Sequence, residues 1–209
     1  MLNAEIVLDL TCVHSYIGFT RFEHAAARHR AVGHVLNVDF LPFQVTPDAP
    51  ADGVPLSQVH LGFFGSRGEM ERATRSMAAV GAGAGLDLRF DRAVHVNTFE
   101  AHRLLAAAAA QGLGEPMAER LFRAYLTDGL NIGDRATLDR LAAETGVRTG
   151  WADTDAADAE RLRARLARTQ ELGIRSVPVF RIGTGTGTGT VAGAQAEDVF
   201  DRALAAALG

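Results

Sequence analysis

Lysine is absent from the 209 residues, and cysteine occurs once, at Cys12. The first absence excludes a catalytic lysine or Schiff base, since all 21 basic residues are arginine. The second excludes any disulfide within one chain and suits a reducing compartment. No run reaches the roughly 18 apolar residues that a membrane span requires. The opening Met1-Leu2-Asn3-Ala4-Glu5-Ile6 lacks the basic start and apolar stretch of a secretory leader. A bacterial cytoplasmic location is therefore the expectation, with no membrane partner. A net charge of -4 leaves no basic footprint, so no nucleic-acid partner is expected either.

What is present describes an ordinary globular chain, 47% apolar and 22% charged. Its length suits one domain, or one core carrying an insertion. The exclusive use of arginine, with abundant alanine and glycine, reads as a GC-rich coding bias. Residues 5–10 alternate, placing Ile6, Leu8 and Leu10 on one face of a strand. Phe19, Phe22 and Ala26 then recur at helical spacing to about residue 30, and Leu36, Val38 and Phe40 mark a second strand over about 35–41. Pro42, Pro47, Pro50 and Pro55 punctuate a long loop.

From about 56 to 173 the pattern is almost wholly helical, with glycine pauses at 81–85, 112–114, 129–133 and 146–150. An alanine-rich helix is expected over 98–111, and another over 115–127 with Leu121, Phe122 and Tyr125 as its apolar stripe. A third spans 135–145 behind Asp134 as N-cap, and a fourth spans 156–172, closed by Gly173. The chain returns to strand at 177–182 and 190–192, then closes with a helix over 195–208. The glycine-threonine run at 183–189 lacks the Gly-Lys-Ser/Thr ending of a phosphate loop and precedes a strand, not a helix. It reads as an expanded surface hairpin without a nucleotide site. The fold class is α/β, a thioredoxin-like fold with a large all-helical insertion. Residues 1–55 and 174–209 form the two halves of the thioredoxin-like domain, and 56–173 form the insertion.

Cys12 lies where the first strand gives way to a helix, in the run Asp9-Leu10-Thr11-Cys12-Val13-His14-Ser15-Tyr16-Ile17-Gly18. A dithiol redox enzyme would show Cys-x-x-Cys here. This chain keeps the nucleophile and has Ser15 in the resolving position. A sulfur at a helix N-terminus feels the positive end of the helix dipole, which favours thiolate.

Four segments in order resemble the thioredoxin-like DsbA family, in particular its cytoplasmic FrnE-like branch. That branch is related to 2-hydroxychromene-2-carboxylate isomerases and kappa-class glutathione transferases. The segments are Cys12 to Gly18 with Arg21-Phe22-Glu23, Asn97 to Leu104, Leu121 to Tyr125 with Asn131 to Asp134, and Ser176 to Phe180 with Gly193-Ala194-Gln195. The resemblance implies a cis Val177-Pro178 peptide facing Cys12. FrnE-like proteins carry Cys-Pro-Trp-Cys where this chain has Cys-Val-His-Ser, so it departs from the pattern at the proline and at the second cysteine.

The candidate catalytic residues are Cys12, His14 and Ser15, with His14 as a proton carrier near neutral pH. Ser15 and Thr11 also suit helix capping. The resemblance makes the Asn97–His102–Arg103 segment a wall of the cleft, so Tyr16, Asn97, His102, Val177 and Pro178 are candidate substrate-binding residues. Trp151 and the Phe63-Phe64 pair suit either a pocket above Cys12 or the core. His24, His29, His34, His60 and His95 show no paired ligand spacing, so no metal site is expected.

The leading function is a monothiol DsbA-like thiol-disulfide oxidoreductase without a resolving cysteine. It would bind no resident cofactor and would use a glutathione- or mycothiol-like thiol as co-substrate. A thiol-assisted isomerase or lyase acting on a small aromatic or polyketide-type substrate is the alternative. A non-catalytic binding or dimerisation module is the third, with the alanine-rich helix as the flat face of a possible homodimer.

Overall fold

The alternation over residues 5–10 becomes strand β1, Leu2–Leu8, and the helical repeat after it becomes α1, Val13–Ala31. The computed structural model describes residues 1–149, 151–184 and 187–208, with backbone alone at 151–155. Strand β2 spans Leu36–Pro42 and runs parallel to β1, pairing Leu2 with Leu36 and Leu8 with Pro42. Later in the chain, β5 (Val179–Thr184) lies antiparallel to β1, and β6 (Gly187–Ala192) closes a hairpin against it. The sheet order is therefore β2-β1-β5-β6. The hairpin strands reach further into the glycine-threonine run than the pattern implies, pairing Thr184 with Gly187. Residues 185–186 of that run lie outside the described residues.

The intervening segment carries α2 (Leu56–Phe64), α3 (Arg67–Ala82), α4 (Phe99–Ala109), α5 (Gly114–Leu126), α6 (Arg135–Thr145) and α7 (Trp151–Glu171). It is not wholly helical. Strands β3, Val54–Pro55, and β4, Val94–His95, pair as a small separate ribbon. A further glycine break, ahead of the pauses expected from residue 81 onward, falls at Gly65, where φ is +74°. Ser66 then caps α3, accepting from the Glu69 amide while its hydroxyl meets the Glu69 carboxylate. That capping-box signature was legible in the sequence as Ser-x-x-Glu. Asp134 caps α6 as expected, accepting from the Thr137 amide at 2.8 Å. Helix α8, Glu197–Ala206, completes the chain.

One continuous hydrophobic cluster joins the sheet to the helical block. On one side Phe22 of α1 meets Phe180 of β5 and Phe200 of α8, with ring centroids 4.7 to 5.9 Å apart. On the other, Tyr16 stacks on Phe122 of α5 at 5.0 Å, and Phe19 bridges Phe122 and Phe40. Aromatic pairs of this kind add stabilisation beyond their buried area. The rim pairs His24–Glu197 and Arg28–Asp201 are exposed, so they fix the α1–α8 orientation more than they stabilise it. Helix α4 lies inside this packing, with Ala101, Leu104, Leu105 and Ala108 buried. Its other side carries Ala106 and Ala110, which are exposed.

Strand β1 alternates at its start, where Asn3 is exposed, but Ile6 through Leu10 are all buried. The helical block covers the second face of the sheet at that end. This burial defines the place where a polar strand-end group becomes chemically unusual.

Glu23 of α1 faces Glu115 of α5, with Arg30 at 3.5 Å from one and 2.5 Å from the other. Burial, reinforced by the Glu115 charge, pushes Glu23 up to about 8. The folded state therefore holds a proton that an unfolded carboxyl would release. This contribution is complete below the ordinary carboxyl value and is lost as pH rises through about 8. The urea midpoint is expected to fall between about pH 5 and about pH 8.5, and Glu23→Gln is expected to flatten that decline.

Candidate functional site

Cys12 is the N-cap residue of α1, in extended backbone at φ -83° and ψ 114°. Asp9 accepts from the Cys12 amide at 3.0 Å, and Cys12 accepts from the Tyr16 amide at 3.1 Å, so strand end and helix start form one turn. The Cys12 thiol points at the Val177 carbonyl, 3.9 Å away, and the Val177-Pro178 peptide is cis. Gly193 holds this loop by donating to the Pro178 carbonyl at 2.8 Å, and Arg21 donates to the Ala194 carbonyl at 2.9 Å. Gly18 makes the approach possible. A Cβ there would lie 2.9 Å from the Pro178 ring and 3.3 Å from the Ala194 Cα.

The electrostatics of the sulfur differ from the expectation of a stabilised thiolate. Burial pushes the Cys12 thiol up. Hydrogen bonding from Ser15 and from the His14 and Ser15 amides opposes this, and the Asp9 charge reinforces it. The helix N-terminus does act on the sulfur, but desolvation wins. The His14 side chain is exposed and makes no hydrogen bond among the described residues.

Asp9 was not singled out in the sequence, although an acid inside the apolar run Ile6 to Leu10 is the available signal. It is 1% exposed. One oxygen accepts from the Val45 amide at 2.6 Å and from the Thr11 hydroxyl at 3.3 Å. The other oxygen has no hydrogen-bond partner and lies 3.6 Å from His102 Nε2. That nitrogen also lies 2.9 Å from the Phe43 carbonyl.

Residues 4–205 match the family of DSBA-like thioredoxin domains. The chain belongs to that family. Among solved structures, this DsbA-like chain is similar to a probable DsbA oxidoreductase from Streptomyces coelicolor. The two share 28% identity and a TM-score of 0.85, over 100% of this chain and 90% of the other. It shares its fold with the cytosolic disulfide reductase DsbM of Pseudomonas aeruginosa, at 24% identity and TM-score 0.66 over 99% and 98% of the two chains. A 2-hydroxychromene-2-carboxylate isomerase has the same fold at 12% identity and TM-score 0.62, over 92% and 89%. No curated protein sequence matches the chain.

The remaining sequence candidates divide between the site and its support. Ser15 is fully buried beneath Cys12 and accepts from the Asp9 amide at 3.4 Å, so it braces the turn and leaves the capping position to Cys12. Tyr16 is 3% exposed and stacked in the core, which removes it from the substrate-facing set. Asn97 accepts from the Phe99 amide at 2.8 Å and from Gln44, and donates to the Pro47 carbonyl. With His102 on Phe43 and Asp9 on Val45, it pins the loop over 43–50 against the strand end. Asn97 and His102 thus hold the wall of the cleft, and nothing exposes His102 to a substrate. Val177 and Pro178 stand across from the sulfur as the family resemblance implied. Val45 and Thr46 of the pinned loop help line a cavity of about 340 Å³, together with Thr11, Val13, Phe63 and Phe64. The Trp151 side chain lies outside the described residues. Among the described residues no group of three or more His, Cys, Asp or Glu side chains is placed to hold a metal. No helix there is long and apolar enough to cross a membrane.

Gly18→Ala is expected to cost about 1–3 kcal/mol through overpacking against Pro178 and Ala194, and to depress Cys12 reactivity more than an exposed Gly68→Ala control. Urea unfolding and iodoacetamide kinetics check this. Asp9→Asn keeps the acceptor for Val45 but removes the charge. The Cys12 alkylation midpoint is expected to move down toward the ordinary thiol value, measured as rate against pH.

Proposed function

We propose that this protein is a monothiol thiol-disulfide oxidoreductase that works in the reducing direction with a small thiol as its second substrate. The observation that carries the reading is the placement of Cys12 Sγ, at the α1 N-terminus and against the Val177 carbonyl beside cis-Pro178, with a buried hydroxyl in the resolving position. The Cys12 thiolate attacks one sulfur of a disulfide R–S–S–R′. A Cys12–S–S–R bond forms and R′ leaves as thiolate, which takes up a proton. A second thiolate then attacks the R sulfur, forming its own disulfide with R and returning Cys12. We assign exposed His14, two residues along the chain, to pass protons between solvent and the departing sulfur.

The direction follows from the environment of the sulfur. A thiol pushed up by burial is a poor leaving group, so its mixed disulfide persists until an external thiol attacks the other sulfur. Strongly oxidising relatives depend on the opposite, a thiolate stabilised enough to leave readily. The likeness in fold to a cytosolic disulfide reductase, also solved with GSH, supports a glutathione-class co-substrate and a reducing cytoplasm as the setting. A thiol-assisted isomerase is the second reading, favoured by the aromatic walls of the cavity beside Cys12.

Glutathione disulfide and intact mass separate the outcomes. The wild type is expected to gain one glutathione adduct, faster at alkaline pH, and Cys12→Ser none. Ser15→Cys is expected to convert that adduct into an internal disulfide. Failure of the folded wild type to form any adduct at about pH 9, where a free thiol is largely ionised, overturns the proposal.

A further inference from the structure

The cavity beside the thiol has a composition that thiol exchange alone does not require. It holds about 340 Å³, within the lower range of small-ligand sites. Phe63, Phe64, Phe90 and Tyr125 form its walls. Phe63 is 82% exposed, so it is not a core residue that happens to border a void. It meets Phe64 edge-on at 5.1 Å, and Phe64 in turn meets His60 edge-on at 5.6 Å. His60 from α2 and His95 from β4 bring imidazoles to the same cavity. Thr11 and Val13, the neighbours of Cys12 on either side, also line it. A ligand seated there borders the two chain neighbours of Cys12.

We propose that this cavity binds a small flat aromatic compound bearing an uncharged oxygen acceptor, with the ring between the phenylalanines and the oxygen on the His60–His95 pair. The inference rests on Cys12 as the reacting group and adds the class of molecule presented to it. Aromatic walls favour a planar ring through stacking and edge contacts. Two imidazoles in an otherwise apolar cavity are a small set of polar groups that fixes orientation. Burial, reinforced by nearby His95, pushes the His60 value down, which favours its neutral form. His60 therefore favours an N–H donor over a cation. Apolar walls penalise a carboxylate, whose desolvation is costly. The chemical class is thus an aryl ketone, quinone or similar carbonyl.

Binding is tested calorimetrically in the Cys12→Ser protein, where no covalent chemistry occurs, with methyl naphthyl ketone, ethylnaphthalene and naphthoate as probes. The ketone is expected to bind about fivefold tighter than ethylnaphthalene, the difference that one neutral hydrogen bond gives. Naphthoate is expected to bind more weakly than the ketone. His60→Leu and His95→Leu are expected to erase the ketone preference while retaining ethylnaphthalene. Phe63→Ala, at an exposed position, is expected to weaken all three. In the wild type the ketone is expected to slow Cys12 alkylation. Absence of saturable binding, a ketone preference indifferent to both histidines, tighter naphthoate binding, or ketone binding without effect on alkylation each overturns the inference. None of these calorimetric outcomes depends on disulfide exchange. Loss of the proposed exchange with intact ketone binding would instead refute the preceding reading alone.

Discussion

The close approach of the α1 N-terminus to the Val177-Pro178 loop is the constraint from which the site follows. It is set from two directions. Phe22, Phe180 and Phe200 clamp the middle of α1 between the sheet and α8, while Gly18 removes the Cβ that would hold the helix off Pro178. Arg21 and Gly193 then tie the loop to the helix. With both elements fixed, Cys12 has a backbone carbonyl before it and a buried turn behind it. The sulfur is held by packing and hydrogen bonds, and no ion pair is needed to orient it.

That arrangement decides the chemical character of the thiol. Helix-terminal amides favour the thiolate, but the helical block that completes the core also covers the end of β1 and desolvates the sulfur. A buried Asp9 charge acts in the same direction as the desolvation. The result is a nucleophile that becomes strong once ionised and leaves slowly once bonded. Such a group suits taking a thiol from a disulfide and holding it, with turnover governed by an external thiol. Ser15 keeps the turn intact without supplying a second sulfur.

The sequence carried the sheet halves, the order of elements and the position of Cys12, because strand alternation, helix caps and a thiol at a strand-helix junction are local signals. The Ser66 cap was equally local. The roles of Asn97 and His102 were not, since they depend on where the 43–50 loop folds back, and both prove to be anchors for that loop. Tyr16 read as a substrate group because it follows the motif, but helical geometry turns it into the core against Phe122. His60 and His95 had no shared spacing to reveal them. Only the β3–β4 ribbon and the start of α2 bring them to one cavity. The net effect on Cys12 also required three dimensions, because sequence shows the helix start but not how deeply it is covered.

The most direct test of the central claim is the equilibrium constant for exchange between the Cys12–glutathione mixed disulfide and free glutathione, measured by acid quench across a range of thiol concentrations. The account predicts a mixed disulfide at least as stable as that of an unperturbed cysteine, consistent with a thiol pushed up by burial. A mixed disulfide markedly less stable than that reference would show a stabilised thiolate at Cys12 and contradict the reducing assignment.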